Sequence, residues 1–199
     1  MKSVKLIIAL GLMLCLLGPL SVSASPAQDQ LKISIDSILS VLRSEELKTE
    51  ANREKRRQAL RDIIYTRFDF RKMSQRSLAR HWKVLNDTQK DEFAGLFSKL
   101  LEKTYVGRIE AYTNEKVEFV GERIKKNKAQ IDTRIVTPEI EIPISYRMYD
   151  LGDGTWMVYD MIIEGVSLVG NYRSQFGQLL EKNSFDELMV KLRNKVGDH

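Results

Sequence analysis

Few residues in this 199-residue chain can make or break bonds: two histidines, His81 and His199, one cysteine, Cys15, and scattered serines and carboxylates. Neither histidine has a second imidazole or a carboxylate at metal-ligand spacing, so no metal site is expected. The run Gly165-Val166-Ser167-Leu168-Val169-Gly170 opens like a serine nucleophile elbow, but its closing glycine comes one residue late and its only available base is His81. A strand-to-helix corner, with Ser167 near the start of a helix, is the simpler reading. No phosphate loop or dinucleotide fingerprint is present, and Gly152 and Gly154 belong to a hairpin turn. The residues therefore predict no catalytic group, no cofactor and no enzyme. Asp160 stands out, because an acid on a strand apolar on both faces must be paired or functional. Arg173, in the next helix, is the expected ion-pair partner, with a polar contact to a ligand headgroup as the alternative.

The first 24 residues predict a cleaved secretory signal peptide: lysines at 2 and 5, an uncharged apolar run over 6–17, and small residues Val22-Ser23-Ala24 before the cut. The apolar run is too short to span a bilayer as an anchor. Leu14, before Cys15, argues against lipoprotein processing. Cleavage leaves 25–199, lowers the surplus of basic over acidic residues from five to three and removes the only thiol. Disulfides and thiolate chemistry are thus excluded, and a packed core must hold a single domain together. Export also argues against nucleic acid as a partner. The basic clusters at 53–57 and 125–128 read as solvated faces, with docking on anionic membranes or acidic partners as the alternative.

The elements that must position these residues follow from periodicity. Leu31, Ile35, Ile38, Leu39 and Leu42 predict one helix, and Leu60, Ile63, Ile64 and Phe68 a second that begins near Ala51 with its polar first turns on the surface. A short helix is expected from residue 70 to about 80, leading to Trp82. The next helix is the strongest, with Thr88 as N-cap, Asp91 three residues on, and a stripe of Phe93, Leu96, Phe97, Leu100, Leu101, Tyr105, Ile109 and Tyr112. The period then becomes alternating. Val117 and Phe119 begin one strand, Ile131, Thr133 and Ile135 form one face of another, and Ile142, Ile144, Tyr146 and Met148 one face of a third. After the turn Gly152-Asp153-Gly154, residues 156–163 read as a central strand. Val169, Tyr172, Phe176, Leu179 and Leu180 predict a helix, and Ser184-Phe185-Asp186-Glu187 a capping box before Leu188, Leu192 and Val196. Helices, four strands and helices in segregated blocks predict an α+β fold with helices packed on one side of a curved antiparallel sheet.

The stretch from Trp156 through Phe176, most specifically 159–176, resembles the signature of the MlaC family, the periplasmic auxiliary proteins of toluene-tolerance type ABC transport systems. The chain is also similar to them at Phe68-Asp69-Phe70, Met73, Trp82, Phe93, Phe97, Leu100-Leu101, Thr104-Tyr105 and Tyr112, and departs at Arg80-His81-Trp82, where family members often carry a small-residue turn. The resemblance implies a monomeric, non-enzymatic periplasmic carrier that holds a glycerophospholipid by its acyl chains and moves it between the outer and inner membranes, maintaining outer-membrane lipid asymmetry. The implied partners are an inner-membrane ABC transporter with an MCE-domain ring and an outer-membrane lipoprotein complex. A hopanoid-like cargo, or a scaffold protein whose core is simply full, are the other readings.

Burying two chains of ~15 methylenes gains ~24 kcal/mol over water at ~0.8 per CH₂, but a bilayer offers the same burial, so exchange requires a cavity about as apolar as a membrane. The side chains expected to line it are Leu101, Tyr105, Ile109, Ile144, Tyr146, Met148, Val158, Ile162, Val166, Leu168 and Tyr172, each of which also suits an ordinary core. Parity alone leaves open which face of the 156–163 strand looks inward.

Overall fold

The computed structural model describes residues 25–111 and 115–197. The expected signal peptide, Tyr112 and His199 lie outside them. Helix α1 (Pro26–Arg43) starts at Ser25, whose side chain accepts from the Gln28 N–H, and buries Ala27, Leu31 and Ile35. A 3₁₀ turn (Glu50–Asn52) leads into α2 (Arg53–Arg67). Helix α3 (Phe70–Leu78) is N-capped by Asp69, and a 3₁₀ segment (Ala79–Val84) carries the buried Trp82.

Helix α4 (Asp87–Glu110) begins two residues earlier than expected. Its N-cap is Asn86, whose Oδ1 accepts from the Gln89 N–H at 2.9 Å, while the Gln89 side chain accepts from the Asn86 N–H at 3.0 Å. This reciprocal box satisfies two otherwise orphaned donors, which Thr88 with Asp91 does not, so Thr88 falls within the first turn.

The strands are β1 (Lys116–Lys125), β2 (Lys128–Val136), β3 (Glu141–Asp150), β4 (Trp156–Ile163) and the two-residue β5 (Val166–Ser167), antiparallel and ordered β1-β2-β3-β4-β5. The sheet thus has one short strand more than expected, and β4 lies one strand from the edge. The β4–β5 connection is the pair Glu164-Gly165, both at positive φ (50° and 81°), the combination a tight primed hairpin turn requires. Ser167 then N-caps α5 (Leu168–Leu180), and the Ser184–Glu187 box opens α6 (Phe185–Val196) as the sequence predicts.

A bulge at Tyr159 explains why β4 is apolar on both faces. Met148 pairs with Val158, but Arg147 pairs with Asp160 and Tyr146 with Met161. The extra residue reverses the parity. Trp156 and Val158 before it, and Met161 and Ile163 after it, therefore share the face that carries Ile131, Ile144, Tyr146 and Met148.

Two packed regions meet on this face. Ala27, Leu31 and Ile35 of α1 pack on Ala129, Ile131, Met148, Trp156 and Val158. The second region joins α3 to α6, with Phe93, Phe97, Tyr172 and Phe176 at its centre. The Phe97 and Tyr172 rings meet edge-on at 5.0 Å, and those of Phe93 and Phe176 at 5.5 Å. Phe68 and Met161 touch both regions.

Candidate functional site

Between the two packed regions lies a cavity of about 410 Å³, within the roughly 300–1,000 Å³ typical of small-ligand sites. Helix α1 supplies Leu31, Ile35, Ile38, Leu39 and Leu42, a stripe at helical spacing. Helix α2 adds Leu60 and Ile64, Phe68 just past its end adds its ring, α4 adds Leu101, Tyr105, Val106 and Ile109, and the sheet adds Val117, Ile135, Ile142, Ile144, Tyr146, Met161 and Ile163. Burial pushes the Tyr146 hydroxyl up to about 12, so it stays neutral. Burial also raises Tyr105.

Six of the eleven expected lining residues face this space: Leu101, Tyr105, Ile109, Ile144, Tyr146 and Leu168. The other five do not. Met148 and Val158 are fully buried under α1, and Tyr172 is locked in the aromatic cluster. Ile162 sits opposite Ser145, on the reverse face from Met161, because of the bulge. Val166, on β5, is 59% exposed. The sequence reading missed the α1 and α2 contributions as lining, although the α1 stripe was visible. It missed Met161 and Ile163 because nothing in the sequence marks the bulge.

One flank of the cavity is polar. Helices α2 and α4 are joined there by a ladder of side chains: Tyr65 donates to Ser98 Oγ at 2.7 Å, Arg61 makes a two-pronged pair with Glu102 at 2.6 and 3.0 Å, and Arg56 and Arg57 share Glu110 at 2.9 and 2.8 Å. The basic cluster at 53–57 is therefore only partly a solvated face. The Arg56 and Arg57 side chains are 15% and 26% exposed. Hydrogen bonds from Arg57, then Arg56, hold the Glu110 carboxyl below its ordinary value of 4.5, against the opposing effect of burial.

A group depressed in the folded state contributes stability that is present above its unfolded value and lost as pH falls through the folded one. Thermal melts from about pH 7 to about pH 3 are expected to show a steeper acid limb for the parent protein than for Glu110→Gln, which lacks the ion pair throughout. Parallel limbs would show that the pair contributes nothing.

Asp160 is 2% exposed but is not paired with Arg173. Its Oδ2 accepts from Arg147 at 3.1 Å and from the Ser167 hydroxyl at 2.8 Å, and its Oδ1 accepts from the Val169 N–H at 3.0 Å. The bulge places Asp160 beside Arg147 of β3 and at the N-terminus of α5, where backbone N–H groups favour an anion. Arg173 lies further along α5, and its Nε donates to the Arg76 carbonyl at 3.0 Å. Ser167, bonded to Asp160 and accepting from the Gly170 N–H, has no imidazole on it. His81 instead accepts from Arg80. Among the described residues, no three His, Cys, Asp or Glu side chains converge as a metal site, and no helix is long and apolar enough to cross a membrane.

A cavity walled by an antiparallel sheet and three helices, apolar within and charged at one flank, can take a long apolar molecule with a polar end. The family model described as MlaC protein matches residues 32–194. The chain belongs to the MlaC family. The intermembrane phospholipid transport system binding protein MlaC of Haemophilus influenzae (strain ATCC 51907 / DSM 11121 / KW20 / Rd) is 23% identical over 166 residues, spanning 81% of this chain and 78% of its own. The solved structure of a phospholipid-binding protein from Ralstonia solanacearum, in complex with a phospholipid, superposes with a TM-score of 0.78 at 23% identity, covering 87% of this chain and 98% of that one. The MlaC fold is thus that of the present chain, α+β with an open five-stranded sheet.

Proposed function

We propose that this protein is a non-enzymatic periplasmic shuttle that carries phospholipids between the outer and inner membranes for an MCE-type ABC transport system, maintaining outer-membrane lipid asymmetry. The observation that carries this reading is the apolar cavity in a chain of the MlaC family. Residues 1–24 direct export and are removed, and 25–199 form the carrier domain. An acyl chain leaving a bilayer for this lining exchanges one apolar surrounding for another, so loading and unloading remain close to balanced. The partners are the transporter's MCE ring in the inner membrane and a lipoprotein complex in the outer membrane.

The test is a native mass spectrum of the protein purified after export from a Gram-negative host, followed by lipid extraction. A co-purifying, stoichiometric phospholipid spread across acyl compositions is expected. A ring-system lipid would instead assign a hopanoid-like cargo. A lipid-free mass with no uptake from phospholipid vesicles would overturn the carrier reading.

A further inference from the structure

We propose that Arg108 binds the phosphate of the carried lipid and so makes the site selective for phosphate-bearing lipids regardless of what the phosphate is esterified to. This rests on the carrier reading. Four arginines line or flank the polar side of the cavity, and three are already matched: Arg56 and Arg57 by Glu110, Arg61 by Glu102. Arg108 is not. It lines the same cavity two residues before Glu110, is exposed, and among the described residues has no carboxylate within ion-pair distance.

Among the described residues, its contact is with an aromatic ring, which leaves its charge available to an anion. The guanidinium lies 5.9 Å from the centre of the Tyr105 ring, one helical turn back, and Tyr105 itself faces the cavity. A cation over an aromatic face is oriented but not neutralised. Arg108 is therefore held where the apolar lining gives way to solvent, the level at which the first charged group of a glycerophospholipid leaves the cavity. The planar guanidinium matches two phosphate oxygens at once. The phosphate is also the one anionic group common to all glycerophospholipids, so a cation reading it tolerates any substituent. Among the described residues, Glu164, on the β4–β5 turn, is the other carboxylate lining the cavity besides Glu102.

The experiment incubates the mature protein with vesicles containing phosphatidylethanolamine, phosphatidylglycerol and diacylglycerol of identical acyl chains, re-isolates it and quantifies bound lipid by mass spectrometry. Arg108→Gln is expected to lower the ratio of phospholipid to diacylglycerol about tenfold, equally for both phospholipids, with Arg108→Lys between the two. An unchanged ratio would overturn the assignment. So would a loss confined to phosphatidylglycerol, which would mean attraction to net charge, or an equal loss of all three lipids, which would mean damage to the cavity. Stabilisation of the parent, but not of Arg108→Gln, by inorganic phosphate alone would move the site to free phosphate and also overturn it. If the parent takes up no lipid, the carrier reading itself fails.

Discussion

Replacing Asp160 by Ala is expected to destabilise the protein by about 3 to 5 kcal/mol, the cost of breaking a buried, hydrogen-bonded charge site. The carboxylate is 2% exposed and accepts from three donors: Arg147 on β3, the Ser167 hydroxyl at the end of β5 where it N-caps α5, and the Val169 N–H in the first turn of that helix. Alanine leaves the Val169 N–H buried without an acceptor and removes the anion at the helix N-terminus, both unfavourable. Asn, which keeps the shape and an acceptor oxygen, is expected to cost about half as much. Arg147→Ala should cost about 1 kcal/mol or less, because the Arg147 side chain is 39% exposed and water screens its pair. Arg173→Ala, which leaves every Asp160 bond in place, should fall within about 1 kcal/mol of the parent. Urea titrations of the four variants measure this order. A larger effect at Arg173 than at Arg147 would show that the pairing is not as described.

Introducing tryptophan at Ile144 is expected to abolish lipid loading, by at least about tenfold, while leaving the fold intact. Ile144 projects from β3 into the cavity of about 410 Å³, between its neighbours Thr133 and Ile163. The indole has space to enter and takes the volume a ligand needs. Met148, four residues along on the same face, gives the contrast. It is fully buried under α1 and is not among the residues that line the cavity. Met148→Trp is therefore expected to destabilise by about 1–3 kcal/mol through overpacking. The two melting curves, read with the lipid content of each purified variant, separate void from core. Full loading of Ile144→Trp, or equal destabilisation of both variants, would contradict the cavity's assignment.

Helix and strand positions were legible because they depend on local pattern. The α4 stripe from Phe93 to Ile109 and the alternation over Ile142 to Met148 each report which side of an element meets other protein, and both faces are as read. The α4 cap was misplaced because two overlapping polar sets, Asn86 with Gln89 and Thr88 with Asp91, suit the same helix start, and only the geometry shows which closes the box. Asp160 was recognised as needing a partner. Arg147, thirteen residues earlier, became its neighbour through strand register, to which distance along the chain is blind.

By itself the sequence determined the order of the helices and of the four long strands, the Gly152-Asp153-Gly154 turn, the Ser184 cap, the signature of the family and the poverty of reactive side chains, while the short β5 and its Glu164-Gly165 turn came only from the structure. Each depends on residue type and short-range spacing. Only the tertiary structure decided which apolar residues form core and which form cavity wall. Hydrophobicity reports that a side chain leaves water, and Met148 and Ile144 both do so. Whether the surface it reaches is another side chain or an open space is set by how α1, α2 and α4 are held off the sheet. The Tyr159 bulge was decided at the same level: one unpaired residue turned Met161 and Ile163 toward the cavity and Asp160 toward Arg147 and the end of α5.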